Sequence, residues 1–330
     1  MNRIIISRTD SIGDVLLTLP LCVWIKETFP QTELVFIGRS YTQAIISCFS
    51  VVDSFINFDE FDNMPSGERI EKLKADCIIH VFPNSKLALL AKKAKIPMRI
   101  GTAHRIFHLL TCNYRLNFSR KRSLYHEAQL NFELLKPLGC KSVPSLNSLF
   151  ASLTNFKIPS VSLPQDFSAV DFSNSIILHP KSQGSALEWP LEKYIELAEL
   201  LLKQNKTVIF TGTKEEGKQF SSLLPIHDKI IDGTGKFTLA QLIKLIGSCE
   251  ALIACSTGPY HIAGICGIKA VGLFSSRKPI HPGRWSALGS KSVALVYDEN
   301  CSTCLKGKVC FCIKDISVQH VLDVINKKND

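Results

Sequence analysis

Several common features are missing from this 330-residue chain, and each absence removes a class of function. No apolar run approaches the roughly 18 residues needed to cross a bilayer, so no membrane span is expected. There is no basic-then-apolar leader, because the opening apolar run Ile4-Ile5-Ile6 stops at once; this predicts a mature cytosolic chain. The dinucleotide fingerprint GxGxxG is absent, which argues against a nicotinamide cofactor and an oxidoreductase. Basic residues are not interleaved with aromatics as in single-strand binders, which argues against nucleic acid as a partner. Short-period repeats and low-complexity segments are also missing.

Acid is missing from one long window. From Cys77 to His126 there is no Asp or Glu, yet the window holds Lys86, Lys92, Lys93, Lys95, Arg99, Arg105, Arg115, Arg120, Lys121 and Arg122. Most charge runs are solvated faces. A window this long without an acid points to an anionic partner, a phosphorylated substrate or lipid headgroups. The net charge of the chain is +10.

The chain is 45% hydrophobic, and its length fits two domains of roughly 150 residues better than one core. A mean hydropathy of +0.13 is expected where parallel strands are buried on both faces. Strands are predicted near Arg3–Ser7, Leu34–Ile37, Ser54–Asn57, Cys77–Val81 and Arg99–Gly101, with amphipathic stretches at Val15–Phe29 and Tyr41–Phe49 and a long helix Tyr125–Leu138. The alternation restarts with strands near Ser175–His179, Thr207–Thr211, Lys229–Asp232, Ala251–Ala254, Ala270–Phe274 and Val293–Val296, and helices Leu191–Gln204, Leu239–Cys249, Pro259–Cys266 and Val318–Lys328. Residues 141–173, with three prolines among Ser and Asn, read as a linker with one edge strand. Regular βα alternation predicts a parallel α/β sheet with helices on both faces, twice over, the two facing across a cleft at the carboxyl ends of their strands.

Four stretches carry chemistry. In SRTDSIGDVLLTLP, Ser11-Ile12-Gly13-Asp14 is the first βα loop. Gly13 permits a tight turn, and Asp14 is either a helix cap or a base aimed into the cleft. HPKSQGSALEWP supplies Lys181, Ser182, Gly184 and Ser185, a set suited to phosphate, unless it is an ordinary βα loop. In FTGTKEE, Gly212 follows a strand and Glu216 opens a helix, where dipole complementarity alone explains an acid and a ribose contact is the alternative. CSTGPYHIAGICG runs from a strand through Ser256, Thr257 and Gly258 into a helix opened by Pro259, a ready diphosphate site. Gly264 and Gly267 are expected to let that helix pack closely. His261 lies one turn in, and is either packed and satisfied or reaches a phosphate or sugar hydroxyl. Of the twelve cysteines, Cys301, Cys304, Cys310 and Cys312 crowd together near the carboxyl terminus. A CxxC pair followed by CxC can bind zinc. The short loop, the lack of a His and the close second pair favour a metal-free cysteine-rich loop.

Together these stretches resemble the lipopolysaccharide heptosyltransferases, glycosyltransferase family nine. SRTDSIGDVLLTLP is similar to the N-terminal signature, STGPYHIAG to the second, and residues 75–101, with their Arg-Ile-Gly ending, to the middle segment. The resemblance runs from residue 1 to about residue 325. It implies a GT-B fold of two Rossmann-like domains, residues 1–165 for the acceptor and 166–330 for the nucleotide sugar, with the last helix packing back on the first domain. It implies inverting, metal-independent transfer of a sugar, typically heptose from its ADP-activated form, onto a lipopolysaccharide core or related anionic glycan.

The resemblance makes Asp14 the general base. It assigns Lys181, Ser182, Gly212, Glu216, Phe237, Thr238, Ser256, Thr257, Gly258 and His261 to the donor, and Ser11, Gly13, Arg99, Arg120, Lys121 and Arg122 to the acceptor. It implies no metal and no cofactor beyond the nucleotide co-substrate. The expected partners are a phosphorylated lipid-linked glycan and an anionic membrane surface, on the cytoplasmic face of the inner membrane. Two departures stand out: Leu187 and Glu188 precede Trp189 where the family has Lys or Arg, and Ser256 stands where it often has Asp. They keep open a non-catalytic sugar-nucleotide-binding protein of the same fold, or a transferase with another donor and a capsule or protein-glycan acceptor.

Overall fold

The structure, a computed structural model, describes residues 1–120, 123–308 and 310–327. The chain divides into two compact units, Met1–Lys157 and Ile158–Asp330.

The first unit is built on a parallel sheet of six strands, β1 (Arg3–Ser7), β2 (Glu33–Gly38), β3 (Ser54–Asn57), β4 (Cys77–His80), β5 (Met98–Thr102) and β6 (Tyr114–Leu116), in the order β3-β2-β1-β4-β5-β6. Ile5 lies between Val35 and Ile78 in register. These residues are sealed from water because helices cover both faces, which is why β1 reads as an unbroken apolar run. Leu87, Leu90 and Ala91 of helix Ser85–Lys93 pack on Ile5, Val35 and Ile78. The strand order reverses between β1 and β4. The loops leaving their carboxyl ends therefore part to opposite faces and leave a crevice, the usual ligand position in open α/β sheets.

The second unit repeats this plan with β7 (Ser175–His179), β8 (Thr207–Phe210), β9 (Ile230–Asp232), β10 (Ala251–Cys255), β11 (Lys269–Phe274) and β12 (Ser292–Val296), ordered β12-β11-β10-β7-β8-β9. The reversal falls between β7 and β10. Helix Leu191–Lys203 contributes Tyr194, Leu197 and Leu201 to the core, beside Val321, Leu322 and Ile325 of the final helix Val318–Asn326. That last helix packs on helix Leu191–Lys203 and on β11, within its own unit.

Some elements differ from expectation. The stretch Val15–Phe29 is two helices, Ile12–Leu16 and Leu19–Thr28, with Thr18 at the break and Pro20 in the first turn of the second. The long helix expected at Tyr125–Leu138 is helix Glu127–Phe132 followed by a 3₁₀ segment Glu133–Leu138. Pro137 has no N–H to continue the α pattern, and Gly139, at φ 95°, ends the segment. Within 141–173 there is a short helix, Leu146–Ala151, capped by Ser145. In place of an edge strand there is an isolated bridge, Phe49 with Phe156. Gly264 does serve close packing, since a Cβ there would meet the Leu288 carbonyl at 2.6 Å. Gly267 has nothing near it and sits at φ +75°, so it ends the helix instead.

Candidate active site

Asp14 is the third residue of helix Ile12–Leu16, and the N-cap position belongs to Ser11. The Ser11 hydroxyl donates to Asp14 Oδ2. Gly13 is buried inside the helix, so it does not form the tight turn expected from the sequence. The Asp14 side chain is 16% exposed and is gripped by the Arg8 guanidinium, which is 3% exposed. Arg8 also lies 2.8 Å from Asp10 and 3.5 Å from Glu127, and Arg120 pairs with Glu127 as well. Two cations and three acids thus share one cluster at the carboxyl end of β1. Burial pushes Asp10 up to about 6; the negative charge of Asp14 adds to the shift, while Arg8 opposes it.

Helix Glu127–Phe132 supports this cluster from behind. Its Asn131 donates to the Leu17 carbonyl at 3.0 Å, just after helix Ile12–Leu16, and accepts from Arg120 at 3.2 Å. Arg120 also reaches the Val81 carbonyl, beyond β4, at 3.3 Å. Ser11, Gly13, Asp14 and Arg120 are therefore brought together at the β1–β4 reversal. Arg99 is not with them. It lies near the amino end of β5, where its guanidinium donates to the carbonyls of Ile96 and Thr111. Lys121 and Arg122 lie outside the described residues. The Arg-Ile-Gly ending has a steric basis: a Cβ on Gly101 would meet the His108 ring at 2.6 Å. His80 and His108 lie buried, 5.4 Å apart, and burial drives His80 down to about 3, so it stays neutral.

In the second unit the loop after β7 is organised by Glu188. Its carboxylate accepts from the Ser182 backbone N–H and hydroxyl, both at 2.9 Å, and lies 3.1 Å from Lys181 Nζ. Gln183 and Gly184 turn the loop through positive φ. After β8, Thr213 and Glu216 close a reciprocal cap on helix Lys214–Phe220, with the Thr213 N–H donating to Glu216 Oε2 at 2.7 Å. Lys181, Glu188, Thr213 and Glu216 line one pocket of about 490 Å³, also bordered by Gln183 and Glu215. Gly212 borders Glu216, whose Oε2 would stand 3.3 Å from a Cβ there.

The remaining donor positions lie outside that lining. Phe237 packs on Phe167 with ring centroids 4.8 Å apart, and Thr238 caps helix Leu239–Ser248 reciprocally with Gln241. Ser256 and Thr257 leave β10 and lead into helix Gly258–Ile265, with Pro259 in its first turn. Thr257 Oγ1 is buried without a hydrogen-bond partner among the described residues. His261 is 5% exposed beside the Tyr260 ring. His179 donates to or accepts from Thr211 at 2.9 Å and is driven down to about 4 by burial, against the opposing charges of Glu216 and Glu188.

The family profile described as glycosyltransferase family 9 (heptosyltransferase) matches residues 66–312, most of the chain. The chain belongs to glycosyltransferase family 9. It is similar to the lipopolysaccharide core heptosyltransferase OpsX of Haemophilus influenzae, at 23% identity over 314 residues, covering 89% of this chain and 84% of the relative. Its fold matches that of a family 9 glycosyl transferase from Veillonella parvula, with a TM-score of 0.78 at 20% identity, covering 98% of this chain and 96% of that one. It also matches the E. coli heptosyltransferase WaaC with ADP, with a TM-score of 0.73 at 17% identity over 98% of both chains. The two parallel six-stranded sheets match the GT-B fold of these structures.

For a family 9 glycosyltransferase, the departure at Glu188 now has a local explanation. The acid pairs with Lys181 and accepts from Ser182, so it holds the loop beside the pocket. Arg8, Asp10, Glu127 and Asn131 were not identifiable as site residues from sequence. Arg8 and Asp10 are close to Asp14 in the chain, yet only the fold brings Glu127 and Asn131 to them.

Proposed function

We propose that this glycosyltransferase moves heptose from ADP-heptose, with inversion, onto a phosphorylated lipopolysaccharide core acceptor. The observation that carries the reading is the placement of Asp14: a partly exposed carboxylate at the strand-order reversal of the first unit, held in position by Arg8 and Ser11. A sugar hydroxyl is a weak nucleophile, and a positioned base that takes its proton during attack supplies roughly 10²–10⁴-fold in rate. The hydroxyl oxygen forms the new bond to the anomeric carbon while the bond to the nucleoside diphosphate breaks, which inverts that carbon.

The second unit would bind the donor. The departing diphosphate gains negative charge, which the amino end of helix Gly258–Ile265, the Thr257 hydroxyl and Lys181 are suited to meet. Lys181 and the Thr213–Glu216 cap border the pocket in which a ribose and sugar would sit, and Ser182 anchors the Glu188 carboxylate at its edge. In this scheme those donors suffice for the leaving group, with no metal ion in the reaction.

No helix is long and apolar enough to cross a membrane among the described residues. We place the enzyme peripherally on the cytoplasmic face of the inner membrane, where a lipid-linked acceptor is made. Helix Ile106–Thr111 supports this placement, because it exposes Ile106 (82%) and Leu110 (71%) beside two exposed cations, its N-cap Arg105 and Lys92, whose Nζ donates to the Leu110 carbonyl at 2.8 Å. Exposed apolar side chains next to cations suit an anionic headgroup layer.

A second reading, transfer from another nucleotide sugar, is favoured by Glu188 and Ser256 replacing residues usual in the family. A radiolabelled transfer assay with ADP-heptose, UDP-hexose and GDP-hexose on deep-rough lipopolysaccharide separates the two. Transfer from ADP-heptose alone is the expected result. Transfer from only a UDP- or GDP-sugar would replace the first reading with the second.

A further inference from the structure

Cys301, Cys304, Cys310 and Cys312 bring their four sulfur atoms within 4.8 Å of one another. The closest pairs are Cys304 with Cys312 at 3.5 Å and Cys301 with Cys310 at 3.6 Å. Four thiolates bound at about 2.3 Å to one tetrahedral ion stand about 3.8 Å apart, so the spacing is that of the corners around a single centre. A disulfide needs about 2.05 Å, well short of either pair. The close CxC pair, which argued against metal in the sequence, is no obstacle in the fold. Its two cysteines enter the cluster against different partners, one from each end of helix Ser302–Leu305 and its flank.

The surroundings give no other reason for the cluster to form. Among the described residues from 301 to 312, the buried ones are Cys304 and Cys312, both members of the cluster, while Leu305 and Phe311 are 53% and 57% exposed. A loop with no apolar core of its own does not gather four thiols by burial, and neutral thiols are weak hydrogen-bonding groups. The Ser275 hydroxyl, just beyond β11, lies 3.5 Å from Cys304 Sγ, where a second layer of polar support around a metal ligand is expected.

We propose that these four cysteines bind one thiophilic divalent ion, zinc or iron, as a tetrathiolate clamp, each thiol releasing its proton to solvent on binding. With four protein ligands the site is closed, so its role is structural and separate from sugar transfer. The same loop carries Lys306 and Lys308, which offset part of the negative charge of a tetrathiolate. The clamp would fasten the connection between β12 and the final helix. Immediately beyond Cys312, Ile313 and Ile316 enter the core, and the Ile316 carbonyl accepts from Trp189 Nε1 at 3.0 Å and from Lys193 Nζ at 2.9 Å. Trp189 follows Glu188, which shapes the pocket loop. Loss of the ion is therefore expected to loosen that loop as well.

The test uses the full-length chain purified anaerobically without chelator from cells grown with both zinc and iron. Metal per chain is measured by plasma mass spectrometry, and thiol reactivity by alkylation and peptide mapping. The expected result is close to one zinc or iron per chain, with these four cysteines protected until a mercurial displaces the ion. Cys301→Ser and Cys310→Ser are expected to lose most of the metal, while Cys266→Ser, away from the cluster, keeps it. Cobalt loaded into the stripped chain should give the intense absorption of tetrahedral thiolate coordination. Metal-free wild-type protein whose four cysteines alkylate as readily as exposed thiols, or are found as disulfides, would overturn the proposal. Because this readout uses the wild-type chain, it holds even if the serine variants fail to fold.

Discussion

The Arg8 guanidinium holds the Asp14 carboxylate from a side chain almost sealed from solvent, while the same guanidinium also faces Asp10 and Glu127. An arginine bound to one acid alone would weaken that acid as a base. Here its charge is divided among three acids, and Arg120 also pairs with Glu127. The arrangement fixes Asp14 in space through Arg8 and Ser11.

Replacing Arg8 tests that division. Arg8→Met keeps volume but leaves buried acids short of a cation, and breaking such a cluster typically costs about 3–5 kcal/mol. A clear fall in melting temperature is expected by calorimetry. A loss below about 1 kcal/mol would mean that these ion pairs hold nothing together.

Asp10 gives the cluster a pH signature. Its folded value of about 6 lies above the ordinary 3.8. Between these values the native state keeps a proton that the unfolded chain has lost. Stability therefore falls as pH rises through that window, and it stays lowered above it. Asp10→Asn carries no charge at any pH. The melting temperature of the variant relative to wild type should become more positive from about pH 4 to about pH 7. A difference that is flat across the window would contradict the shift.

The pocket loop of the second unit makes a two-variant prediction. Glu188→Gln keeps an acceptor for Ser182 and releases Lys181 from its carboxylate, so ADP should bind a few-fold more tightly. Glu188→Ala removes the anchor as well, and binding should weaken by about tenfold, equivalent to 1.4 kcal/mol. Titration calorimetry with ADP reads both, and identical changes in the two variants would show that Glu188 does not organise the loop.

Ile106 and Leu110 are expected to matter for membrane association. Each aliphatic side chain buried in a headgroup layer contributes up to about 1.5–3 kcal/mol. The double variant Ile106→Ser, Leu110→Ser should lose most binding to anionic vesicles, and wild-type binding should weaken with salt. Wild-type binding that is equal on neutral vesicles at high salt would remove the basic face from the account.

Much of the scaffold was legible in the sequence, because buried parallel strands are written as unbroken apolar runs. Ile4-Ile5-Ile6 and Ala251–Cys255 have no other comfortable fate. Elements with weak patterns were harder to read. The three-residue β6 is too short to show a period, and helix Ile106–Thr111 turns apolar residues outward. At the site, the segments flanking each loop were readable but the partners were not. Glu216 lies in its own capping box, a local relationship that sequence spacing displays. Glu127 meets Arg8 only through the packing of a helix far along the chain, and no local spacing encodes that. Sequence placed Arg99 with the acceptor residues, yet β5 carries it to the amino edge of the sheet, away from Asp14.

The most direct test of the account is single-turnover transfer by Asp14→Asn, with donor binding measured in parallel. The asparagine is isosteric: its Oδ1 still accepts from Arg8 and its Nδ2 can donate to the Ser11 hydroxyl, so fold and donor affinity should hold. Turnover should fall on the order of 10³-fold, because the proton acceptor is gone. Turnover within a few-fold of wild type, at unchanged donor affinity, would contradict the assignment of Asp14 as the base.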